Sequence, residues 1–194
     1  KLVTIRDEAT RLGMRRVLVL CTSQQRAMAS TVAEHLGDLG VGISDLAVMH
    51  TPTHVTLEAI GVIESLEADG IVSIGGGSTI GLGKALSVRT GLSHIAIPTT
   101  YAGSEMTPIL GQTENGVKTT MRDLAILPAT TIYDVNLTLG LPADLSATSG
   151  MNAIAHAVEA LYAPDGNPII SLMAEEAIRS FADALPILKD DPQN

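Results

Sequence analysis

Between Ile71 and Lys84 a short apolar run, Ile71-Val72-Ser73-Ile74, meets three consecutive glycines, Gly75 to Gly77, then Ser78 and a segment of helical spacing. This junction commits the chain to a strand–turn–helix unit, because side chains at the glycine positions would hold the backbone away from anything it must approach closely. In such a unit the N–H groups of the turn and of the helix N-terminus converge on an anion. The Ser78 hydroxyl adds an N-cap oxygen or a phosphate donor. Two standard phosphate motifs fail here. G-x-G-x-x-G started at Gly75 needs glycine where Ile80 stands. The P-loop read back from Gly83-Lys84 needs glycine at Ser78 and Ser or Thr at Ala85. The local pattern places anion binding ahead of a turn whose glycines serve only packing.

The flanking sequence repeats the same grammar. Residues 2–13 read as a helix and 17–21 as a strand. Ser23 caps a helix to about Leu39, stopped by Gly40 and Gly42. Residues 46–49 read as a strand, and Thr53 caps a helix carrying Val55, Ile60, Ile63 and Leu66 to Asp69-Gly70. The helix after the glycine turn runs to about Val88 and leads to a strand over 94–97. Helices alternating with short apolar strands predict an α/β, Rossmann-like parallel sheet covered on both faces. Ligands of such sheets sit at the carboxyl ends of the strands. Thr22, Thr51, Gly75 to Ser78 and Pro98 to Tyr101 each follow a strand there.

From Pro98 the pattern changes to a polar loop. Residues 108–113 then pair with 118–121 across the turn Glu114-Asn115-Gly116, a hairpin signal, and 130–134 form another strand. Past Leu141-Pro142 the strands stop. Ser149 caps a helix through Ala163, and Asn167-Pro168 starts a second one to about Leu185. The expected organisation is an α/β dinucleotide-binding domain over 1–141 and the beginning of an all-helical domain over 142–194.

Composition narrows the function. The 194 residues are 45% hydrophobic and 17% charged, as in a folded globular protein. Aromatics are 2% and the net charge is −9, which argues against stacking on single strands or riding the phosphates of a duplex. No nucleic-acid partner is expected. Any anionic ligand must be held by helix ends and a few placed cations. Cys21 is the only cysteine, so a disulfide within the chain and a cysteine-based zinc site are excluded; at the end of an apolar run it reads as a buried thiol. No stretch resembles a signal peptide or a membrane span. A cytoplasmic location, with no membrane partner, is the expectation. Lys1 is not an initiator Met, which suggests a trimmed or missing N-terminus.

Asn152, His156 and Glu159 fall at i, i+4 and i+7, on one face of the helix over 149–163. Asp and His at that spacing would form half a metal site. Here the first member is a neutral amide, a poor ligand for a divalent ion. By these residues alone, a structural histidine is the better reading.

Together, Gly75-Gly76-Gly77-Ser78, Pro98-Thr99-Thr100, Gly103-Ser104-Glu105 and Gly150-Met-Asn-Ala-Ile-Ala-His156-Ala-Val-Glu159-Ala resemble the iron-containing alcohol dehydrogenase family of the dehydroquinate synthase-like superfamily. The stretch Ile97-Pro-Thr-Thr-Tyr-Ala-Gly-Ser-Glu-Met-Thr-Pro108 is similar to the branch that reduces 2-maleylacetate to 3-oxoadipate in the breakdown of aromatic compounds. So is Thr148-Ser-Gly-Met-Asn-Ala-Ile-Ala-His-Ala-Val-Glu-Ala-Leu-Tyr162. The resemblance implies a cofactor domain, a helical domain and an active site between them, with NADH or NADPH as reductant. It implies that Gly76, Gly77 and Ser78 hold the pyrophosphate, that Thr99 and Thr100 lie by the ribose and nicotinamide, and that Lys118 is near the cofactor. Thr22 stands where many members carry an Asp that selects NAD, so use of both cofactors is expected.

Three departures from the family pattern matter. Asn152 replaces the Asp of metal-dependent members, from which no catalytic metal is expected. The loop after the paired threonines is shortened to Tyr101-Ala102, and Gly81 stands where many members have an Asp. The family's further histidines lie beyond residue 194, so the chain reads as a fragment and the proton donor is expected in the missing half. Asn152 and His156 are expected to orient a small dicarboxylate, with Tyr101 and Ser104 assisting, in a homodimer. The competing expectations are a metal-dependent alcohol or lactaldehyde dehydrogenase, a zinc-dependent sugar-phosphate cyclase, and a nucleotide-binding module without chemistry.

Overall fold

A computed structural model describes residues 1–114 and 116–190. The chain forms two compact units: Lys1–Thr99 with Gly103–Asp134, and Thr100–Ala102 with the residues from Val135 onward.

In the first unit a 3₁₀ turn leads into α1 (Ile5–Arg11), β1 (Val17–Leu20), α2 (Arg26–Leu36), β2 (Gly40–Ser44), α3 (Thr53–Ser65), β3 (Gly70–Gly75), α4 (Gly77–Thr90) and β4 (Ser93–Pro98). A hairpin of β5 (Ile109–Glu114) and β6 (Val117–Arg122) follows, then the two-residue strand β7 (Thr130–Thr131). The main sheet is parallel throughout, in the order β2-β1-β3-β4-β7. Every residue of β1 and β3 is buried, as expected of strands covered on both faces. On one face Leu18, Leu20 and Ile71 of the sheet pack with Val55, Ala59 and Ile63 of α3 and with Leu82 and Leu86 of α4. Because β1 and β3 are neighbours, the glycine turn that ends β3 lies beside Thr22 at the end of β1.

The second strand differs from the sequence expectation. It is β2 over Gly40–Ser44, while Leu46 reaches the sheet only as a single bridge to Thr22. Gly42 looks like a helix stop but serves packing, since a Cβ there would lie 2.7 Å from Leu66 Cδ1. Ser23 does not cap α2: it sits in a 3₁₀ turn, and α2 starts at Arg26 with no side-chain cap. The strand expected over 130–134 keeps only its first two residues.

The hairpin forms as expected, with Thr113 opposite Lys118 and Leu110 opposite Met121; Asn115 of its turn lies outside the described residues. A buried polar relay ties it to the helices. Gln112 Nε2 donates to Thr56 Oγ1 of α3 at 3.1 Å, and Arg89 Nη2 of α4 donates to Gln112 Oε1 at 2.6 Å.

The second unit holds α5 (Ala143–Tyr162) and α6 (Pro168–Asp190). Ser149 does not start α5; the helix begins six residues earlier, after Pro142, with Asp144 in its first turn where the helix dipole favours an acid. Asn167 does cap α6, its Oδ1 accepting from the N–H groups of Ile169 and Ile170, both at 3.1 Å. That helix continues through Pro186, beyond the end expected at Leu185. Gly150 lets the helices close together, since a Cβ there would lie 2.7 Å from Leu185 Cδ2.

Candidate functional site

The glycine turn is shaped by what surrounds it. Gly75 adopts φ 153°, and a Cβ on it would lie 2.5 Å from both Gln25 Oε1 and Thr79 Oγ1. Gly76, in extended conformation, is the N-cap of α4, and its carbonyl accepts from the N–H groups of Thr79 and Ile80, both at 3.1 Å. The N–H groups of Gly77 and Ser78 therefore have no acceptor within the helix. Ser78 is the second residue of α4 and not its cap, which leaves its hydroxyl to the donor role.

Beside the turn, Thr99 N donates to Gly75 O at 3.0 Å. Gln25, which sequence reasoning missed, joins two residues it found. Thr22 Oγ1 donates to Gln25 Oε1 at 3.1 Å, and Gln25 Nε2 donates to Thr99 Oγ1 at 3.1 Å. The only available signal was its place just after the end of β1.

In front of the α4 N-terminus lies a cleft of about 340 Å³ within the first unit. Gly77, Ser78, Ser104 and Lys118 line it, as do Thr51, His50 and Lys84, and among the described residues no carboxylate lines it. In a chain of net charge −9, this is a local reversal of sign. Lys84 is fully buried, and its three ammonium protons are spoken for: Nζ donates to Thr107 O at 2.7 Å, Thr107 Oγ1 at 3.1 Å and Ile109 O at 3.0 Å. Burial pulls its pKa down to about 8, partly offset by the Glu105 carboxylate. Glu105 is itself buried and accepts from Tyr133 Oη at 2.9 Å, while its Oε2 has no hydrogen-bond partner among the described residues. Burial and that bond push the Tyr133 phenol well above the ordinary tyrosine range. Lys84 thus fastens the segment carrying Ser104 to the glycine-rich helix.

The remaining expected residues lie in the second unit. Tyr101 makes an edge-on contact with Phe181, ring centroids 5.7 Å apart, and lines a separate cavity of about 230 Å³ with Val135 and Ile187. Ser104, three residues later, lines the cleft of the first unit. Thr100 is half-buried and goes with Tyr101, whereas Thr99 is buried by the glycine turn. Asn152 and His156 are exposed on α5, and His156 Nδ1 lies 3.2 Å from Glu159 Oε2.

A parallel sheet with a glycine turn and an uncapped helix N-terminus at the carboxyl ends of its strands defines a Rossmann-like α/β unit. Residues 1–135 match the family model for "Iron-containing alcohol dehydrogenase", and residues 146–194 match that for "Fe-containing alcohol dehydrogenase family, C-terminal". The chain belongs to the iron-containing alcohol dehydrogenase family. It is 55% identical over 192 residues to the maleylacetate reductase of Rhizobium sp., covering 99% of this chain and 55% of that protein. It is also 55% identical over 188 residues to that of Sphingobium indicum, covering 97% and 53%. The crystal structure of maleylacetate reductase from Agrobacterium tumefaciens superposes with a TM-score of 0.96 at 55% identity, over 100% of this chain and 55% of that one. The sulfoacetaldehyde reductase of Bifidobacterium kashiwanohense, solved in complex with NAD+, shares the fold, with a TM-score of 0.93 at 22% identity over 100% and 58% of the two chains. The chain spans about half the length of the curated relatives it matches.

Iron is the metal in the family's name, and it takes imidazole and carboxylate ligands. Asn152 offers a neutral amide beside the His156 imidazole, and among the described residues no three His, Cys, Asp or Glu side chains gather to hold a metal.

Proposed function

We propose that the full-length protein reduces 2-maleylacetate to 3-oxoadipate with NADH or NADPH and without a catalytic metal. The observation that carries this reading is the acid-free cleft at the N-terminus of α4, in a chain 55% identical to proteins named maleylacetate reductase. When bound, the nicotinamide supplies a hydride to the alkene carbon β to the substrate ketone. The residues of this chain do the rest. The N–H groups of Gly77 and Ser78 and the Ser78 hydroxyl, with Gly76 giving the close approach, hold the pyrophosphate; the ammonium of Lys118 offsets negative charge in the same cleft. Thr99 and Thr100 serve the ribose and nicotinamide. Asn152 and His156 orient the dicarboxylate and donate to the oxyanion that grows on the ketone, with Ser104 and Tyr101 assisting; preorganised donors of this kind lower the barrier by stabilising developing charge. A proton delivered to the carbon next to the ketone completes the reduction.

Thr22 bears on cofactor choice. Its hydroxyl is engaged with Gln25 and presents no carboxylate to repel a 2′-phosphate, which supports use of both cofactors. A homodimer working in the cytoplasm completes the proposal.

The test is NADH oxidation by the full-length protein with maleylacetate, with and without a strong chelator. Chelator-insensitive turnover is the expected result. Chelator-sensitive turnover keeps the substrate and overturns the metal-free reading; no turnover overturns the substrate. Replacing Asn152 or His156 by Ala is expected to lower kcat/KM by about 100-fold, the scale of one lost oxyanion donor. Unchanged kcat/KM in both variants would remove them from the site.

A further inference from the structure

One side chain crosses the carboxyl ends of three strands. β1 and β4 lie on either side of β3, so their ends are two strand spacings apart, about 10 Å. Gln25, in the 3₁₀ turn that follows β1, joins them. Its Oε1 accepts from Thr22 just after β1, and its Nε2 donates to Thr99 just after β4, both at 3.1 Å. The crossing depends on the glycine that ends β3. A Cβ on Gly75 would lie 2.5 Å from Gln25 Oε1, so any side chain there would displace the amide.

The amide also sets the polarity of both hydroxyls. A hydroxyl has one proton and two lone pairs, whereas an amide nitrogen only donates and an amide oxygen only accepts. Thr22 gives its proton to Gln25 Oε1 and is left with lone pairs. Thr99 receives an N–H from Gln25, and among the described residues nothing accepts its own hydroxyl proton. Thr99 is buried, at 3% exposure, and its backbone N–H is fixed to Gly75 O at 3.0 Å. A buried polar group is rarely left unpaired, so this proton is held for a group that arrives at the glycine turn.

We infer that Gln25 is a positioning residue for the dinucleotide, which fixes Thr22 and Thr99 across the glycine turn and keeps the Thr99 proton free for the ligand. The inference rests on the dinucleotide reading given above. Gln25 acts through Thr99 and needs no contact with the ligand. Holding the strands together does not call for the bridge: β3 is already paired along its length with β1 on one side and β4 on the other. Gln25 gives up rotamer freedom to make it.

The experiment is NADH binding by the full-length protein, followed by nicotinamide fluorescence, in the wild type, Gln25→Met, Thr99→Val and the double variant. Methionine keeps the length of the side chain and removes both bonds. Each single substitution is expected to raise the Kd about tenfold, the size of one hydrogen bond. The double variant is expected to bind no more weakly than either single one, because Gln25 acts through the hydroxyl that valine removes. In turnover, KM for NADH rises in all three and kcat at saturating NADH holds. Gln25→Asn is a methylene too short to reach both hydroxyls, so it takes the place of Gln25→Met, alone and in the double variant, where methionine prevents folding. A roughly hundredfold rise in the double variant overturns the inference, by making the two residues independent. An unchanged Kd in the position-25 variant, even with a lower Tm, also overturns it, reduces the bridge to a structural one and leaves the cofactor reading standing. A wild-type protein that binds no NADH overturns both.

Discussion

Lys84 carries a buried charge, and the cost of that depends on pH. Its pKa is about 8 in the folded protein and 10.5 unfolded. Below pH 8 both states are protonated and the folded state bears the full desolvation cost. Between 8 and 10.5 the unfolded chain binds more protons, so this residue's contribution to stability rises with pH. Cys21 and Tyr133 act in the opposite sense at higher pH, because burial raises both of their pKa values. The clean window is therefore pH 7 to 9. Urea unfolding of the wild type and of Lys84→Met across it is expected to show wild-type stability gaining on the variant as pH rises; a constant difference would contradict a charged, buried Lys84. In the sequence Lys84 entered only as the lysine of a failed P-loop match. Its partners, Thr107 and Ile109, lie 23 and 25 residues away, beyond any local pattern. Gln25 escaped for the same reason, its bond to Thr99 spanning 74 residues.

The helix behind the glycine turn meets the sheet at one tight point. A Cβ on Gly83 of α4 would lie 2.4 Å from His94 Nε2, the atom that pairs with Ser73 Oγ at 2.6 Å in the core. Burial holds His94 neutral, its pKa pulled down to about 3. Gly83→Ala must push helix and sheet apart or break the Ser73–His94 bond. A loss of about 1–3 kcal/mol is expected from overpacking, measured by urea unfolding at pH 7; a variant as stable as the wild type would contradict this packing. The glycines also explain where element boundaries were legible. Gly75 to Gly77 follow a short run that is apolar but for Ser73, so β3 and α4 were readable to within two residues. Gly40 and Gly42 read as a helix stop, yet both lie in β2, where Leu66 fills the space beside Gly42. The start of α5 was missed because Ser149 is a good capping residue placed inside a helix that Pro142 and Asp144 begin earlier.

Across the molecule, a chain of net charge −9 holds a cleft that is lined, among the described residues, by hydroxyl, lysine and histidine side chains and by no acidic one. The parallel sheet, the glycine turn and the family were all readable, because they rest on contiguous stretches of sequence. The cleft as a whole was not, since Thr51, Ser78, Ser104 and Lys118 are brought together only by α3, α4 and the hairpin. The most direct test of that cleft is the affinity of the full-length protein for NADH when Ser78 is replaced by Asp. A carboxylate at the second residue of α4 suits the helix dipole, so the fold should tolerate it, but it sets a negative charge where the pyrophosphate is held. A Kd raised at least about tenfold with Tm preserved is expected. NADH binding unchanged from wild type would contradict the assignment of this cleft as the cofactor site.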